Sequence, residues 1–314
     1  MLSTKSGDLI GVVKKGSKIV KKVYLNEINT SNDDEIEDNN NDNSALMPKS
    51  FYTGLRGITP SNIIILKRAI RNNNIDIIPK AHTTMLDAYK QSRILLKELS
   101  SKTIIIKPDE GTIQLYPPDK HVAVGVWGPS GVGKSYWVSN FINEYQHKYK
   151  KDCDVYIFSS ITDDPAFEKL KLTYIKIDYS VITEPFNLSE FGLNKHNLVI
   201  FDDIESLHNN HYKAIAEFRS KCLECGRHQN IDIIAIHHVI QAGNCTKKII
   251  NECDYSVVYP RCNFNSIEKL LKNTYGFGKD EVNYVKELGR KSRAIIIKRS
   301  YPSYIMSDHE IKVV

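Results

Sequence analysis

Gly128-Pro129-Ser130-Gly131-Val132-Gly133-Lys134-Ser135 fits the pattern G-x-x-x-x-G-K-[ST] at every fixed position, and its setting decides the fold. The apolar run 121–127 leads into it and reads as a strand. The residues after it read as an amphipathic helix carrying Trp137, Val138, Phe141 and Ile142. Glycines are required because side chains would block the approach of backbone to phosphate, and inward-turned amides make a nest for anions. The amides of residues 131–135 then lie at a helix N-terminus, whose dipole favours phosphate. Lys134 is expected to reach the β- and γ-phosphates as a point charge, and the Ser135 hydroxyl to join a magnesium ion. The segment Gly128, Pro129, Ser130, Gly131, Val132, Gly133, Lys134 and Ser135 is therefore the expected binding loop for ATP with Mg²⁺.

Outward from this loop the pattern alternates strand and helix. Apolar runs at 122–127, 154–158, 173–177, 197–201, 231–236, 255–259 and 294–297 read as strands, and 134–149, 165–170, 212–225 and 266–275 as helices. Near-continuous apolar strands alternating with helices predict an α/β domain with a mostly parallel central sheet covered by helices on both faces. Residues 103–106 and 112–116, with Gly111 at the turn between them, read as a hairpin.

The 197–201 strand ends in Asp202 and Asp203, delivering two carboxylates where a parallel sheet opens into its ligand crevice. Asp202 is expected on the magnesium, and Asp203 to orient and deprotonate an attacking water, with Glu205 as its substitute. A solvated loop carboxylate is the bland alternative for Asp203.

The chain has 314 residues, 41% of them hydrophobic, enough for one large domain and an appendage. Its apolar runs fall far short of the roughly 20 residues a membrane-spanning helix needs. The start, Met1-Leu2-Ser3-Thr4-Lys5-Ser6, shows neither a secretory signal nor a glycine at position 2 for myristoylation, so a soluble intracellular protein is expected. Six unevenly spread cysteines predict no disulfide framework. Cys222 and Cys225 have C-x-x-C spacing, with His228 following. No second pair completes a tetrahedral zinc site, and the surrounding pattern is helical.

The net charge of +6 is compatible with nucleic-acid contact but does not demonstrate it. Its distribution divides the chain into a basic N-terminal arm (1–30, with Lys14, Lys15, Lys18, Lys21 and Lys22), an acidic Asn-rich linker (31–50), a helical preface (51–102) and a P-loop domain (103–314). The linker composition predicts disorder.

Over residues 103–300 the chain resembles the FtsK/HerA-type ATPases and, among them, the DNA-packaging ATPases of poxviruses and other large DNA viruses. The selective part is Gly226-Arg227-His228-Gln229-Asn230-Ile231, leading through the apolar stretch 232–236 to His237-His238, with 249–259 following. Members of the family carry an Arg after a helix and then a strand ending in a polar sensor, commonly Gln. His238 falls where that Gln would stand. The resemblance implies a RecA-like sheet, a homo-oligomeric ring, ATP-driven movement of double-stranded DNA in a sequence-independent manner, and a virion or host-cytoplasm setting with a capsid or portal partner. It also implies Arg227 as an arginine finger, against the plain reading of a surface Arg pairing with Glu224 or touching DNA. Lys213, Arg219, Lys221, Lys247 and Lys248 are the candidate DNA-phosphate contacts.

Three other readings fit the loop. A nucleotide or metabolite kinase would need an Arg-rich lid, and none follows the third strand. An AAA+ replication or helicase-loading ATPase would need a C-terminal helical lid, whereas 294–297 and 303–306 look like strands. An ATP-gated scaffold would have lost hydrolysis, yet Lys134, Asp202 and Asp203 are all present.

Overall fold

The computed structural model describes residues 1–26, 49–150, 152–159, 164–168, 170, 174–177, 187–188, 191, 195–206, 209–240 and 244–314. Nearly all of the expected acidic linker lies outside these residues. The chain divides into two compact units, one formed by Met1–Ser3 and Asn26–Ile104, the other by Thr4–Leu25 and Ile105–Val314.

The first unit contains strand β1 (Leu2–Ser3) and helices α1 (Lys49–Thr53), α2 (Pro60–Arg71) and α3 (Thr83–Lys102). Helix α2 starts at a proline in its first turn, with the Thr59 hydroxyl accepting from the Asn62 amide at 3.4 Å. Leu66, Ala69 and Ile70 of α2 pack with Met85, Ala88, Tyr89 and Leu96 of α3 in a core of their own.

The second unit opens with β2 (Asp8–Lys15) and β3 (Lys18–Leu25). The stretch read as a basic arm is a β-hairpin, and that reading is corrected. Its turn uses Gly16 at φ 63°, and β2 pairs antiparallel with β3 through Val12↔Lys22 and Val13↔Lys21. Val12, Val13 and Val23 are fully buried. These valines, interleaved with the lysines, supply the strand pattern that the charge count obscured. After β4 (Thr103–Ile105), the strand β5 (Thr112–Leu115) pairs with β2 (Val12↔Gln114) rather than with β4, so the expected 103–116 hairpin does not form. Lys14 of β2 is ion-paired with the buried Glu144.

The main sheet runs through β6 (Ala123–Trp127), β7 (Cys153–Ser159), β8 (Tyr174–Ile177), β9 (His196–Asp202), β10 (Ile231–His237), β11 (Tyr255–Val258), β12 (Ile295–Lys298), β13 (Tyr304–Met306) and β14 (Glu310–Val313). Their spatial order is β14-β13-β12-β11-β6-β10-β9-β7-β8. The six strands from β11 to β8 are parallel, and β12, β13 and β14 extend the sheet antiparallel. The mostly parallel α/β sheet is thus present, with β14 an addition to the expected strands.

Helices α4 (Lys134–Tyr149), α5 (Pro165–Glu168), α6 (Asn209–Cys225), α7 (Asn244–Glu252), α8 (Phe264–Asn273) and α9 (Lys279–Lys291) complete the unit. Alternation along the strands divides the faces. Ala123, Trp127, Val199, Phe201, Ile231, Ile233 and Ala235 pack with Ile215 and Phe218 of α6, Leu270 and Leu271 of α8, and Val285 and Leu288 of α9. On the other face, Asp232 of β10 meets α4: its Oδ2 accepts from the Tyr145 hydroxyl at 2.7 Å and its Oδ1 from the Val122 amide at 2.7 Å.

These two buried bonds hold the start of β6 to β10 and to the helix that opens the P-loop. Asp232→Ala leaves a buried amide and a buried hydroxyl unpaired and is expected to cost about 2–5 kcal/mol. Tyr145→Phe, which removes the hydroxyl and spares the amide bond, should cost less. Urea unfolding of both variants checks the order, and equal losses would contradict it.

Candidate functional site

The site lies at the C-terminal ends of the parallel strands. Register brings Trp127 of β6 beside His237 of β10, and Ile236 beside Asp202 of β9. The chain leaving β6 turns into the P-loop with Gly131 at φ 76° and Gly133 at φ 102°, both in the left-handed region that glycine tolerates. Gly133 is the N-cap of α4, and Lys134 is its first residue.

Lys134 is buried, with Nζ donating to the carbonyl oxygens of Gly128 at 2.7 Å and Pro129 at 3.0 Å. Burial pushes its pKa down, and the charges of Asp202 and Asp203 pull it back up. The cation and both carboxylates therefore face one another.

His238 bridges this group. Its Nε2 lies 2.9 Å from Asp203 Oδ1, while Nδ1 lies 3.4 Å from Lys134 Nζ and 3.5 Å from Ser130 Oγ. Since ammonium offers only donors and carboxylate only acceptors, this network assigns the ring proton to Nε2. Lys134, His238 and Asp203, three of the residues read as catalytic, are thus joined in one chain. Asp203 has φ 51°, a left-handed backbone on a residue other than glycine. Such conformations carry strain and cluster at functional positions.

Asp202 is 5% exposed, and the Ser159 hydroxyl stands 3.5 Å from its Oδ2. Burial first, then the charges of Asp164 and Asp203, push its pKa up to about 6 against the pull of Lys134 and His238. A buried carboxylate short of positive charge is suited to a cation. Among the described residues no group of three or more His, Cys, Asp or Glu could hold a metal by itself. Asp202 and Ser135 are the residues that would hold magnesium.

Glu205, the expected substitute base, is engaged by its own partners. Its Oε1 lies 2.6 Å from His237 Nδ1 and 3.4 Å from Arg219 Nη1, and His237 Nε2 is 3.3 Å from the same guanidinium nitrogen. Burial lowers the His237 pKa, so the neutral ring donates from Nδ1 to Glu205 and accepts at Nε2 from Arg219. Burial works against the Glu205 carboxylate, but the His237 hydrogen bond and the nearby Arg219 charge hold it below its ordinary range. Sequence reading missed this triad, in which His237 and Arg219 are buried, although a His next to a sensor position and an Arg on a helix's apolar face were visible signals.

Arg219 is 3% exposed and is removed from the candidate DNA contacts. Lys221 pairs with Glu217 and Lys248 with Glu224, while Lys213 and Lys247 are exposed. Arg227 is also exposed, its Nε donating to His228 Nε2 at 3.2 Å. It precedes β10, whose seven residues separate it from the P-loop edge by roughly 20 Å. Gly226 is not left-handed. It is needed because a β-carbon there would lie 2.7 Å from the Ile231 carbonyl oxygen. Cys222 is buried and Cys225 exposed, both on α6.

No family model matches the chain. A protein of Sputnik virophage, described as uncharacterized protein V3, is 30% identical over 207 residues, spanning 65% of this chain and 82% of the virophage protein. Among solved structures, the genome packaging NTPase B204 of Sulfolobus turreted icosahedral virus 2 with ATP-gammaS is 11% identical at a TM-score of 0.38, covering 62% of this chain and 98% of B204. The pCW3 conjugation coupling protein TcpA with ATPgS is 15% identical at 0.40, over 66% of this chain and 65% of TcpA. EssC ATPases 2 and 3 from Geobacillus thermodenitrificans are 14% identical at 0.38, over 68% of this chain and 44% of EssC. TM-scores of this size mark partial overlap, so a functional reading has to stand on the site's own residues.

The raised Asp202 pKa has a consequence for stability. An acid whose pKa is higher in the folded than in the unfolded chain favours folding most when protonated. Its contribution is present below the ordinary value of 3.8 and is lost as pH rises through about 6. Asp202→Asn is therefore expected to stabilise the nucleotide-free protein at pH 7.5 by on the order of 2–3 kcal/mol and to flatten the change between pH 4 and 6. Urea titrations across that range check it, and an unaltered pH slope would contradict it.

Proposed function

This chain belongs to the same family as protein V3 of Sputnik virophage, and we propose that it is a magnesium-dependent ATPase that moves double-stranded DNA in viral genome packaging. The observation that carries the ATPase reading is the chain Lys134–His238–Asp203 at the mouth of a glycine-rich loop, beside the buried carboxylate of Asp202.

In this reading the P-loop amides and Lys134 hold the triphosphate, and Lys134 exchanges its bonds to the Gly128 and Pro129 carbonyls for phosphate oxygens. Ser135 and Asp202 would hold magnesium, which when bound would neutralise phosphate charge. Asp203 orients the attacking water and takes its proton. When Lys134 moves to phosphate, His238 Nδ1 loses a donor and can accept from the attacking water instead, a part of the sensor role that Gln has in the family the chain resembles. The order β11-β6-β10-β9-β7, with one strand between the P-loop strand and the Asp202 strand, supports the RecA-like reading.

DNA movement rests on the resemblance to FtsK/HerA-type packaging ATPases carried by residues 226–238 and on kinship to a viral protein. A ring is part of that proposal. Arg227, at the edge of the sheet remote from its own P-loop, would serve as a finger only on a neighbouring subunit's nucleotide. No described helix is long and apolar enough to cross a membrane.

Two measurements test the reading. Lys134→Ala should abolish hydrolysis and weaken ATP binding. Asp203→Asn should keep ATP binding and lower turnover by about 10²-fold or more, because an amide still bonds water but accepts no proton. Near-normal turnover in Asp203→Asn would remove Asp203 as the base. Double-stranded DNA of any sequence should stimulate the wild-type rate, with an effect that fades steeply as salt rises. Unstimulated hydrolysis accompanied by phosphate transfer to a small acceptor would favour a kinase instead.

A further inference from the structure

The hydrolytic carboxylates approach the P-loop from the β9 and β10 side. The opposite flank, formed by the ends of β11 and β12, carries a cation with no assigned role. Arg293 lies between α9 and β12, with its side chain beside Gly133, so that the position of a β-carbon on that glycine is 3.5 Å from Arg293 Nη1 and 3.8 Å from its Cζ. Beside it, the Tyr259 hydroxyl donates to the Gly133 carbonyl oxygen at 3.0 Å.

The backbone under Arg293 is fixed on both sides. Ser292, fully buried, ends α9 with its amide on the Leu288 carbonyl at 2.8 Å, and its hydroxyl bonds Asp308. Two residues after Arg293, Ile295 enters the sheet opposite Val258 of β11. The α9 end is also tied to the segment that carries Tyr259: Arg261 donates to the carbonyl oxygens of Gly289 and Arg290, each at 2.9 Å. A β-carbon at Gly289 would lie 2.4 Å from Pro260 Cβ, so helix and segment are in close contact.

Among the described residues, the guanidinium of Arg293 makes no hydrogen bond or ion pair, and the residue is exposed. Neighbouring arginines have partners: Arg219 pairs with Glu205, Arg261 with two helix carbonyls and Arg299 with the carbonyls of Ile250 and Asn251. Burial raises the Tyr259 phenol's pKa and the Arg293 charge pulls it down, in keeping with a guanidinium near that ring. Arg293 therefore stands at the entrance to α4, beside Gly133.

We propose that Arg293 is a nucleotide-positioning residue that grips the diphosphate part of a bound nucleotide from within the same chain, so that ADP and ATP are held alike. A planar fork of donors suits adjacent phosphate oxygens, and an unpaired exposed guanidinium is free to take them. The inference rests on the nucleotide reading above. It gives the two arginines separate expected effects: Arg293 sets affinity for both nucleotides, and Arg227 in a neighbour would act on the rate.

Calorimetry of the full chain with ADP and with a non-hydrolysable ATP analogue tests it. Arg293→Ala should weaken both by a similar factor, about tenfold to a hundredfold, and raise the KM for ATP by more than it lowers kcat. Arg293→Lys should recover part of the loss. ADP affinity within twofold of wild type in Arg293→Ala would overturn the proposal, as would a loss confined to the triphosphate or a fall in kcat alone. Wild-type protein that bound neither nucleotide would overturn the nucleotide reading itself, a result distinguishable from failure of the Arg293 role. Thermal melting without nucleotide separates a binding loss from a folding defect, and a Tm drop matching the affinity loss would make Arg293 structural and sink the idea.

Discussion

Everything at the candidate site depends on the parallel register of three strands. Trp127 ends β6, His237 ends β10 beside it, and Asp202 ends β9 opposite Ile236. A slip of one residue would exchange the faces of a whole strand and turn Asp202 from the crevice into the wall. Buried apolar residues on both faces prevent such a slip, since Leu198, Val199, Ile200, Phe201 and Ile231, Ile233, Ile234, Ala235 are all fully covered. The core is therefore what positions the charges. Two carboxylates and a cation, costly to bury singly, are held in place by hydrocarbon several residues away.

The adjacent histidines at the end of β10 divide the work between two faces. His237 turns inward to Glu205 and Arg219, and its ring stacks on Trp127 with centroids 5.2 Å apart. His238 turns outward to Asp203, Lys134 and Ser130. Alternation along a strand makes this division automatic. The inward triad ties the turn after β9 to α6, whose far end leads into the Arg227 turn. The outward chain ties the same turn to the P-loop. Displacement of the Asp203–Glu205 segment would thus be felt both at the lysine and along α6.

The sequence made the centre of the fold legible and its margins less so. The strand–loop–helix around 128–135 could be read because glycine spacing, apolar runs and helical periodicity all agreed there. Helix 134–149 has the expected bounds. Strands 154–158 and 197–201 each gained a residue at either end. The N-terminal lysines misled because charge was counted and alternation was not: Val12, Val13 and Val23 define a hairpin that no run of charge would show. The pairing of 112–115 with 8–15 was beyond reach, since contacts over a hundred residues leave no local signature. At the site, Asp202 and Asp203 could be read from the end of a strand, whereas His238 was reached only through the family resemblance. Arg293 could not, because nothing around it in sequence points to the loop, and only the antiparallel return of β12 beside β11 brings it there.

Trp127 sits over Gly125, where a β-carbon would lie 2.7 Å from the indole nitrogen, and that nitrogen donates to Ser256 on β11 at 3.3 Å. The chain has two tryptophans, and the other, Trp137, lies on the first turn of α4, stacked on Phe141. Both indoles thus flank the loop, one in the strand that enters it and one in the helix that leaves it. Ultraviolet emission from this protein is consequently a local signal rather than an average over the molecule. Trp127 is buried, with its indole bonded to Ser256 and the His237 ring stacked against its face. Any rearrangement that shifts His237 against Trp127 alters brightness without a dye or label, so the molecule carries an optical gauge at the base of its own loop.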